Sequence, residues 1–162
     1  MDASLVVAAL IRQLGQVLLV REQGPGKADS GWRLPGGAVE LGESLLAALK
    51  GRVAEETGLT VVAAGRLAYA ADVERPEDAG RLLVFGYDVY SWKGEPQPAE
   101  PDAFAFEMAF YAPAEAAALL ELLPWRSRGE PAAAYLRGQA PPGVSWHYRQ
   151  PARGDEQLVG RS

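Results

Sequence analysis

The sequence contains no cysteine and only one histidine among its 162 residues. Without cysteine there can be no disulfide, no thiolate nucleophile and no zinc site built on cysteine. Long apolar runs are also missing, so no membrane span is expected. The short apolar stretch near the start follows Asp2 and lacks a basic region, which is atypical of a signal peptide. These absences favour a cytoplasmic protein without a membrane partner.

Positive charge is scarce as well. The chain has 16 Lys and Arg against 21 Asp and Glu, a formal net charge of −5 at pH 7. This balance argues against general nucleic-acid binding, which needs a basic face. A small anionic ligand is still compatible with it, because local arginines or a bound cation can reverse the field of one cavity.

The length and the hydrophobic content of 48% predict one domain with a sizeable core. We place this domain at residues 1–148 and expect residues 149–162 to form a polar, flexible tail. Strands are predicted over residues 4–11, 17–20, 59–69, 81–92 and 104–111, and helices over residues 44–57, 114–123 and 131–137. Strands on both sides of one well-formed helix, with helices late in the chain, indicate an α+β fold with a mixed β-sheet between helices.

The most informative stretch is LPGGAVELGESLLAALKGRVAEETGL, from Leu34 to Leu59. Its glycine-rich turn lets the backbone approach a phosphate closely, and a helix follows. Glu55 and Glu56 lie near the C-terminal end of that helix, where the helix dipole disfavours negative charge. An isolated Glu-Glu pair is usually a solvated helix face. Beside a glycine turn, the pair instead suggests hard oxygen ligands for Mg²⁺ or Mn²⁺.

The spacing of this stretch resembles the sequence box of the Nudix hydrolase family, and the Trp-Arg-Leu-Pro-Gly segment before it resembles the family's lead-in. The matching positions are Gly37, Glu43, Val53, Glu55, Glu56, Gly58 and Leu59. The resemblance extends over roughly residues 4–123. It implies a Nudix-type α/β/α sandwich and a metal-dependent pyrophosphohydrolase that cleaves a nucleoside diphosphate linked to another moiety.

The resemblance also implies roles for individual residues. Glu55, Glu56 and Glu43 would be catalytic. The Mg²⁺ or Mn²⁺ ligands would be Glu56, Glu55, the Gly36 carbonyl and Glu107, with Asp102 as the alternative to Glu107. The residues themselves, rather than the resemblance, make Gly36, Gly37, Arg33 and Arg52 the candidate contacts for substrate phosphates, because glycine admits a phosphate to the backbone and arginine is a good phosphate partner. On its own, Glu107 is equally compatible with a solvent-facing strand position, and Arg33 with an ordinary surface arginine.

Gly51 and Arg52 depart from the family pattern, because they stand where the box has Arg-Glu. Gly51 cannot hold Glu43 in place. Arg52 shares a helix face with Glu55 and Glu56 and can pair with either, and it keeps its charge at any ordinary pH. We therefore predict weakened or atypical metal use. The alternative is a non-catalytic module of the same fold that binds a nucleotide or metabolite.

The sequence leaves three further points open. The diphosphate substrate is not specified. A homodimer is compatible with the resemblance, since family members are often dimers, but no feature of this chain requires it. Aromatic residues that could stack on a base, or belong to the core, are Trp32, Tyr69, Tyr87 and Trp125.

Overall fold

The structure is a computed structural model that describes residues 2–22, 31–97 and 106–162. The strands are β1 (Asp2–Gln13), β2 (Gln16–Glu22), β3 (Gly36–Ala38), β4 (Thr60–Ala63), β5 (Leu67–Arg75), β6 (Gly80–Val89), β7 (Ser91–Lys93), β8 (Phe106–Tyr111), β9 (Val144–Arg149) and β10 (Gln157–Arg161). The helices are α1 (Leu45–Thr57), α2 (Pro113–Leu120) and α3 (Arg126–Leu136).

Most strands form one mixed sheet in the order β10-β9-β5-β6-β1-β2-β8. The short strand β3 also belongs to this sheet and pairs with β1. The β1–β6 and β5–β9 pairs are parallel, and the other pairs are antiparallel. Strands β4 and β7 form a separate two-stranded sheet. The predicted α+β class with a mixed sheet is confirmed.

Strand β1 shows why helices lie on both faces of the sheet. Its alternating residues Val6, Ala8 and Leu10 belong to the core cluster that also contains residues of α2 and α3. The residues between them, Val7, Ala9 and Ile11, belong to the cluster that contains the apolar face of α1. Successive side chains of a strand point to opposite faces, so a strand that is apolar throughout needs cover on both sides. The result is an α/β/α sandwich.

Helix α1 begins and ends close to the predicted positions. The Ser44 side chain caps its N-terminus by accepting a hydrogen bond from the Ala47 N–H at 3.0 Å. Gly58 ends it in the left-handed conformation, with φ of 74°. Leu49 and Val53 are fully buried and hold the helix on the sheet. Glu55 and Glu56 therefore lie in its last turn.

Helix α3 begins at Arg126, five residues before the predicted start, and contains Pro131. It is held to the sheet by a buried carboxylate on β6. Asp88 accepts a hydrogen bond from Arg12 Nε at 2.8 Å and another from the Tyr135 hydroxyl of α3. Because Asp88 is completely buried, both partners are needed to offset the cost of desolvating its charge.

The C-terminal segment differs from the flexible tail that we expected at residues 149–162. It contains β10, which pairs with β9 at the edge of the sheet. It also contributes the buried Glu156, whose carboxylate accepts hydrogen bonds from the Ser127 N–H at 2.8 Å and the Ser127 hydroxyl at 2.9 Å. This segment thus caps the N-terminus of α3. In the ranges that the structure describes, no helix is both long and apolar enough to span a membrane.

The cap gives a stability prediction. Replacing Glu156 with Ala leaves the first-turn N–H and hydroxyl of Ser127 buried without a partner, and we expect the free energy of unfolding to fall by about 1–3 kcal/mol. Urea denaturation measures this change. The control is Asp155→Ala, since Asp155 is the exposed neighbouring carboxylate and should change stability by less than about 0.5 kcal/mol. Equal effects of the two variants would contradict the capping role.

Candidate phosphate-binding and catalytic site

The site is built on the Pro35-Gly36-Gly37 segment where β3 begins, which is called the glycine turn below. Gly36 pairs with Ala8 of β1 and has a φ of +152°. A Cβ atom at this position would lie 2.1 Å from the Val7 carbonyl oxygen, a distance that no side chain can occupy. The turn can therefore lie this close to β1 only with glycine at position 36.

Glu56 links α1 to this turn through hydrogen bonds. Its Oε1 accepts a hydrogen bond from the Gly36 N–H at 2.8 Å and another from Arg33 Nη1 at 3.2 Å. Its Oε2 accepts from Arg33 Nη2. Glu56 is 8% exposed, so this carboxylate is mostly removed from water, and the two-pronged arginine contact balances its charge. Glu56 and Arg33, both predicted site residues, are thus brought together at the turn.

Arg52 forms a second cluster beside the same turn. Its Nη2 lies 3.2 Å from Glu55 Oε1 and 3.8 Å from Glu43 Oε2, and its Nη1 donates to the Ala38 carbonyl at 3.4 Å. A Cβ atom at Gly37 would lie 3.2 Å from Arg52 Cδ, so the aliphatic part of Arg52 lies over that glycine. Of the two partners that the sequence offers Arg52, the structure pairs it with Glu55 and not with Glu56. Its second carboxylate partner is Glu43.

Glu43 is held although the box arginine is missing. Its Oε1 accepts a hydrogen bond from the Glu40 N–H at 2.9 Å, and its Oε2 faces Arg52. Gly51 leaves open space around its Cα, with no atom within 4 Å of a hypothetical Cβ. The positive partner of Glu43 is therefore Arg52, the residue after Gly51. This arginine occupies the position where the resemblance led us to expect a metal-binding carboxylate.

A divalent cation does not fit this arrangement of the described residues. Glu43 and Glu55 are paired with the Arg52 guanidinium, and Glu56 accepts from Arg33 and from the Gly36 N–H. Within residues 2–22, 31–97 and 106–162, no group of three acidic or histidine side chains is arranged to hold a metal ion. The positive charge that the carboxylates require comes from arginine.

Glu107, the predicted metal ligand from a late strand, lies in β8 opposite Arg21 of β2. Arg21 Nε donates to Glu107 Oε2 at 3.0 Å, and a second guanidinium nitrogen contacts the same oxygen. The cross-strand register therefore gives Glu107 a cationic partner of its own. Asp102, the alternative ligand, lies outside the described residues.

A cavity of about 510 Å³ opens beside the glycine turn, on the face of the sheet covered by α2 and α3. One end is formed by Arg33, Gly36 and Gly37. Tyr69 lies farther along the sheet, on β5, which is separated from β1 by β6, and it lines the cavity together with Trp125 and Arg128 near the start of α3. The turn that our sequence analysis assigned to phosphate is therefore one wall of a cavity large enough for a nucleotide-sized ligand.

Arg128 and Glu22 line this cavity but were not among the predicted site residues. Glu22 ends β2 and lies 3.9 Å from Arg33. No local motif marks Arg128, which comes to the cavity only because α3 packs across the sheet. The one available signal was the Trp-Arg-Ser-Arg sequence from Trp125 to Arg128, which places an aromatic residue at the N-cap of α3 and two arginines in its first turn.

Comparisons with known proteins bear on the fold of the chain and on its family. The mutator MutT protein from Bacillus halodurans superposes with a TM-score of 0.70 at 21% identity, covering 98% of this chain and 96% of that one. The E. coli ORF135 protein gives 0.68 at 24% identity, covering 86% and 93%. A UDP-X diphosphatase gives 0.58 at 24% identity, covering 88% and 67%. Among curated proteins, no sequence matches this chain.

At identities of 21–24%, these neighbours show that the chain shares their fold. The sequence profile of the NUDIX domain matches residues 2–133, and the chain therefore belongs to the Nudix hydrolase family. Nudix hydrolases act on nucleoside diphosphate derivatives and generally use a divalent metal ion.

The contact between Glu56 and Arg33 gives a second stability prediction. Replacing Arg33 with Gln leaves a mostly buried carboxylate with the Gly36 N–H but no cation. Because the Arg33 side chain is 30% exposed and water can partly replace it, we expect a loss of about 1–2 kcal/mol in the free energy of unfolding. Chemical denaturation measures this loss.

The control is Arg126→Gln, which breaks the exposed Arg126–Glu130 pair on α3. Exposed pairs of this spacing contribute about 0.3–0.5 kcal/mol. If the Arg33 variant is no less stable than this control, Glu56 does not depend on Arg33.

Proposed function

We propose that this protein is a Nudix-type pyrophosphohydrolase that cleaves a nucleoside diphosphate linked to another moiety, and that its use of Mg²⁺ or Mn²⁺ is weakened or atypical. The observation that carries the proposal is the position of Arg52, whose guanidinium lies between Glu43 and Glu55 beside the glycine turn. A metal ion at this position loses one carboxylate ligand and meets a like charge.

The residues at the turn suggest how a diphosphate would be handled. Gly36 and Gly37 line the cavity where the phosphate groups would lie, and Arg33 and Arg52 supply positive charge at the turn. Glu56 is the carboxylate directed at the turn, so it is our candidate to accept a proton from an attacking water. Glu43 and Glu55 would position Arg52.

A second candidate function is a non-catalytic module that binds a nucleotide or metabolite. The same observation favours it, because Arg52 neutralises carboxylates that would otherwise bind a metal, while arginine is itself a good phosphate partner. The two candidates share the cavity and the class of ligand. They differ in whether phosphate is released and whether release depends on metal.

Both candidates imply a small-molecule partner rather than a macromolecule. The acidic balance of the chain supports this view, and we propose a cytoplasmic location with no membrane or general nucleic-acid partner. A homodimer is compatible with either candidate.

The direct test is Arg52→Glu. The substitution restores a carboxylate beside Glu43 and Glu55 and removes the competing cation. We expect metal-dependent pyrophosphatase activity to rise about tenfold or more, since one charge-assisted interaction is worth about 1.5–3 kcal/mol. The measurement is phosphate release from a panel of nucleoside diphosphate derivatives with Mg²⁺ or Mn²⁺. The double variant Gly51→Arg, Arg52→Glu also supplies a new partner for Glu43 and should gain more.

The matched control is Arg52→Gln, which removes the positive charge without adding a ligand and should give a smaller gain. Thermal melting supplies a readout besides activity. Without metal, Arg52→Glu should melt at a lower temperature than the unaltered protein because three carboxylates then repel each other, and Mn²⁺ should reverse that loss. If neither activity nor metal stabilisation increases in either Glu variant, Arg52 does not limit metal use.

Nucleotide binding by the unaltered protein separates the two candidate functions. Thermal melting is measured with nucleoside diphosphates, with and without Mg²⁺, alongside phosphate release. Stabilisation that needs no metal, without phosphate release, favours the binding module. Phosphate release that increases with metal concentration favours the hydrolase.

A further inference from the structure

The end of the cavity farthest from the glycine turn carries polar groups that neither the fold nor the diphosphate site uses. They are the Tyr69 hydroxyl and the Arg128 guanidinium, with the Trp125 indole nearby. The three residues that carry these groups line the cavity, and together they suggest what the non-phosphate part of a ligand looks like.

The Tyr69 hydroxyl is buried and has no hydrogen-bond partner among residues 2–22, 31–97 and 106–162. The residue is 1% exposed, and its ring lies against Gly86 of β6, where a Cβ atom would be only 2.2 Å from the ring. Gly86 therefore provides the space that fixes the ring. Leaving a buried hydroxyl unpaired costs free energy, and this residue still lines the cavity. A ligand in the cavity would offset that cost.

Arg128 is half-buried beside Tyr69. Among the described residues, its guanidinium forms no hydrogen bond or ion pair, and burial lowers its pKa. Its position is fixed by its neighbours. At Gly129 a Cβ atom would lie 2.0 Å from the Leu120 carbonyl oxygen, so α3 lies directly against the end of α2, and Glu156 holds Ser127. Arg128 is thus a cation held at the cavity without a protein carboxylate bonded to it.

Both of these groups, the Arg128 guanidinium and the Tyr69 hydroxyl, act as hydrogen-bond donors. Arginine only donates hydrogen bonds. Burial raises the pKa of Tyr69, so its hydroxyl stays protonated and can donate as well. The carboxylate that lines the cavity, Glu22, lies 3.9 Å from Arg33 at the other end. The far end therefore favours a ligand that presents oxygen acceptors and disfavours one that presents an amino group.

The remaining walls favour a flat ring. Val6, Val84 and Leu123 supply apolar surface, and Trp125 is 56% exposed at the cavity. An exposed indole beside apolar walls is suited to stacking on a heteroaromatic ring. A second phosphate group would gain from Arg128 but nothing from these apolar and aromatic surfaces.

We propose that the end of the cavity formed by Tyr69, Arg128 and Trp125 is a base-recognition site that selects nucleotides with a keto-bearing base, guanine or uracil, over those with an amino group at the same ring position, adenine or cytosine. The base oxygen accepts from Tyr69 and Arg128, and its ring stacks on Trp125. This inference rests on the proposed nucleotide function and names the substrate class within it.

Equilibrium binding tests the proposal without requiring hydrolysis. Isothermal titration of the full chain with GDP, UDP, ADP and CDP should show the two keto nucleotides binding about tenfold more tightly than their amino counterparts, as expected for one hydrogen bond to a charged group. Tyr69→Phe removes only the hydroxyl. It should reduce that preference to about twofold or less, and it should not lower the melting temperature because the hydroxyl has no partner to lose.

Arg128→Gln should weaken GDP binding about tenfold and leave inorganic pyrophosphate binding unchanged, which separates base recognition from phosphate recognition. The matched control is Arg126→Gln on the same helix, whose guanidinium pairs with Glu130. It should bind all four nucleotides as the unaltered protein does.

Equal affinity for the four nucleotides would overturn the proposal, as would an undiminished keto preference in Tyr69→Phe. It would also fail if Arg128→Gln weakened pyrophosphate as strongly as GDP. Keto-selective binding without any hydrolysis would support base recognition and overturn the hydrolase proposal. Hydrolysis without base preference would support the hydrolase proposal and overturn base recognition. Absence of all nucleotide binding would overturn both proposals.

Discussion

The contact between Glu56 and the glycine turn is the constraint on which the site depends. A carboxylate in the last turn of α1 faces the negative end of the helix dipole and is mostly buried, so it is costly unless donors surround it. The Gly36 N–H and the Arg33 guanidinium supply those donors. Since the turn also lies directly on β1, one carboxylate joins helix, turn and sheet, and it fixes the wall of the cavity.

Local signals were enough to predict the first half of the fold. Ser44 and Gly58 mark the ends of α1, and two apolar runs separated by a polar turn at Gly15 mark the hairpin of β1 and β2. The C-terminal strands were missed for a physical reason. Strand β9 does alternate apolar and polar residues over Val144–Arg149, but its parallel partner β5 lies about 75 residues earlier in the chain. Strand β10 is exposed throughout, so it carries no apolar pattern, and it depends on pairing with β9.

The sequence was enough to predict which charged residues lie at the glycine turn, but not which of them contact each other. Helical spacing placed Arg52 on the face of Glu55 and Glu56, yet adjacent glutamates point in directions about 100° apart, and only tertiary structure decides which one meets the turn. Glu56 turned inward to Gly36, and Glu55, with a side chain 63% exposed, remained beside Arg52. Arg128 could not be found from the sequence because only the packing of α3 brings it to the cavity.

The charges at the turn also limit how a diphosphate can bind. Glu43, Glu55 and Glu56 already engage Arg52 and Arg33, so neither guanidinium is fully available to an incoming phosphate. A diphosphate must either take an arginine away from a carboxylate or arrive with its own counter-charge. The first route is easier at Arg52, because Glu55 is exposed and water can solvate it once released, whereas a released Glu56 would remain buried. The same arginine that weakens a metal site is therefore the one best placed to bind phosphate, whether the protein is a hydrolase or a binding module.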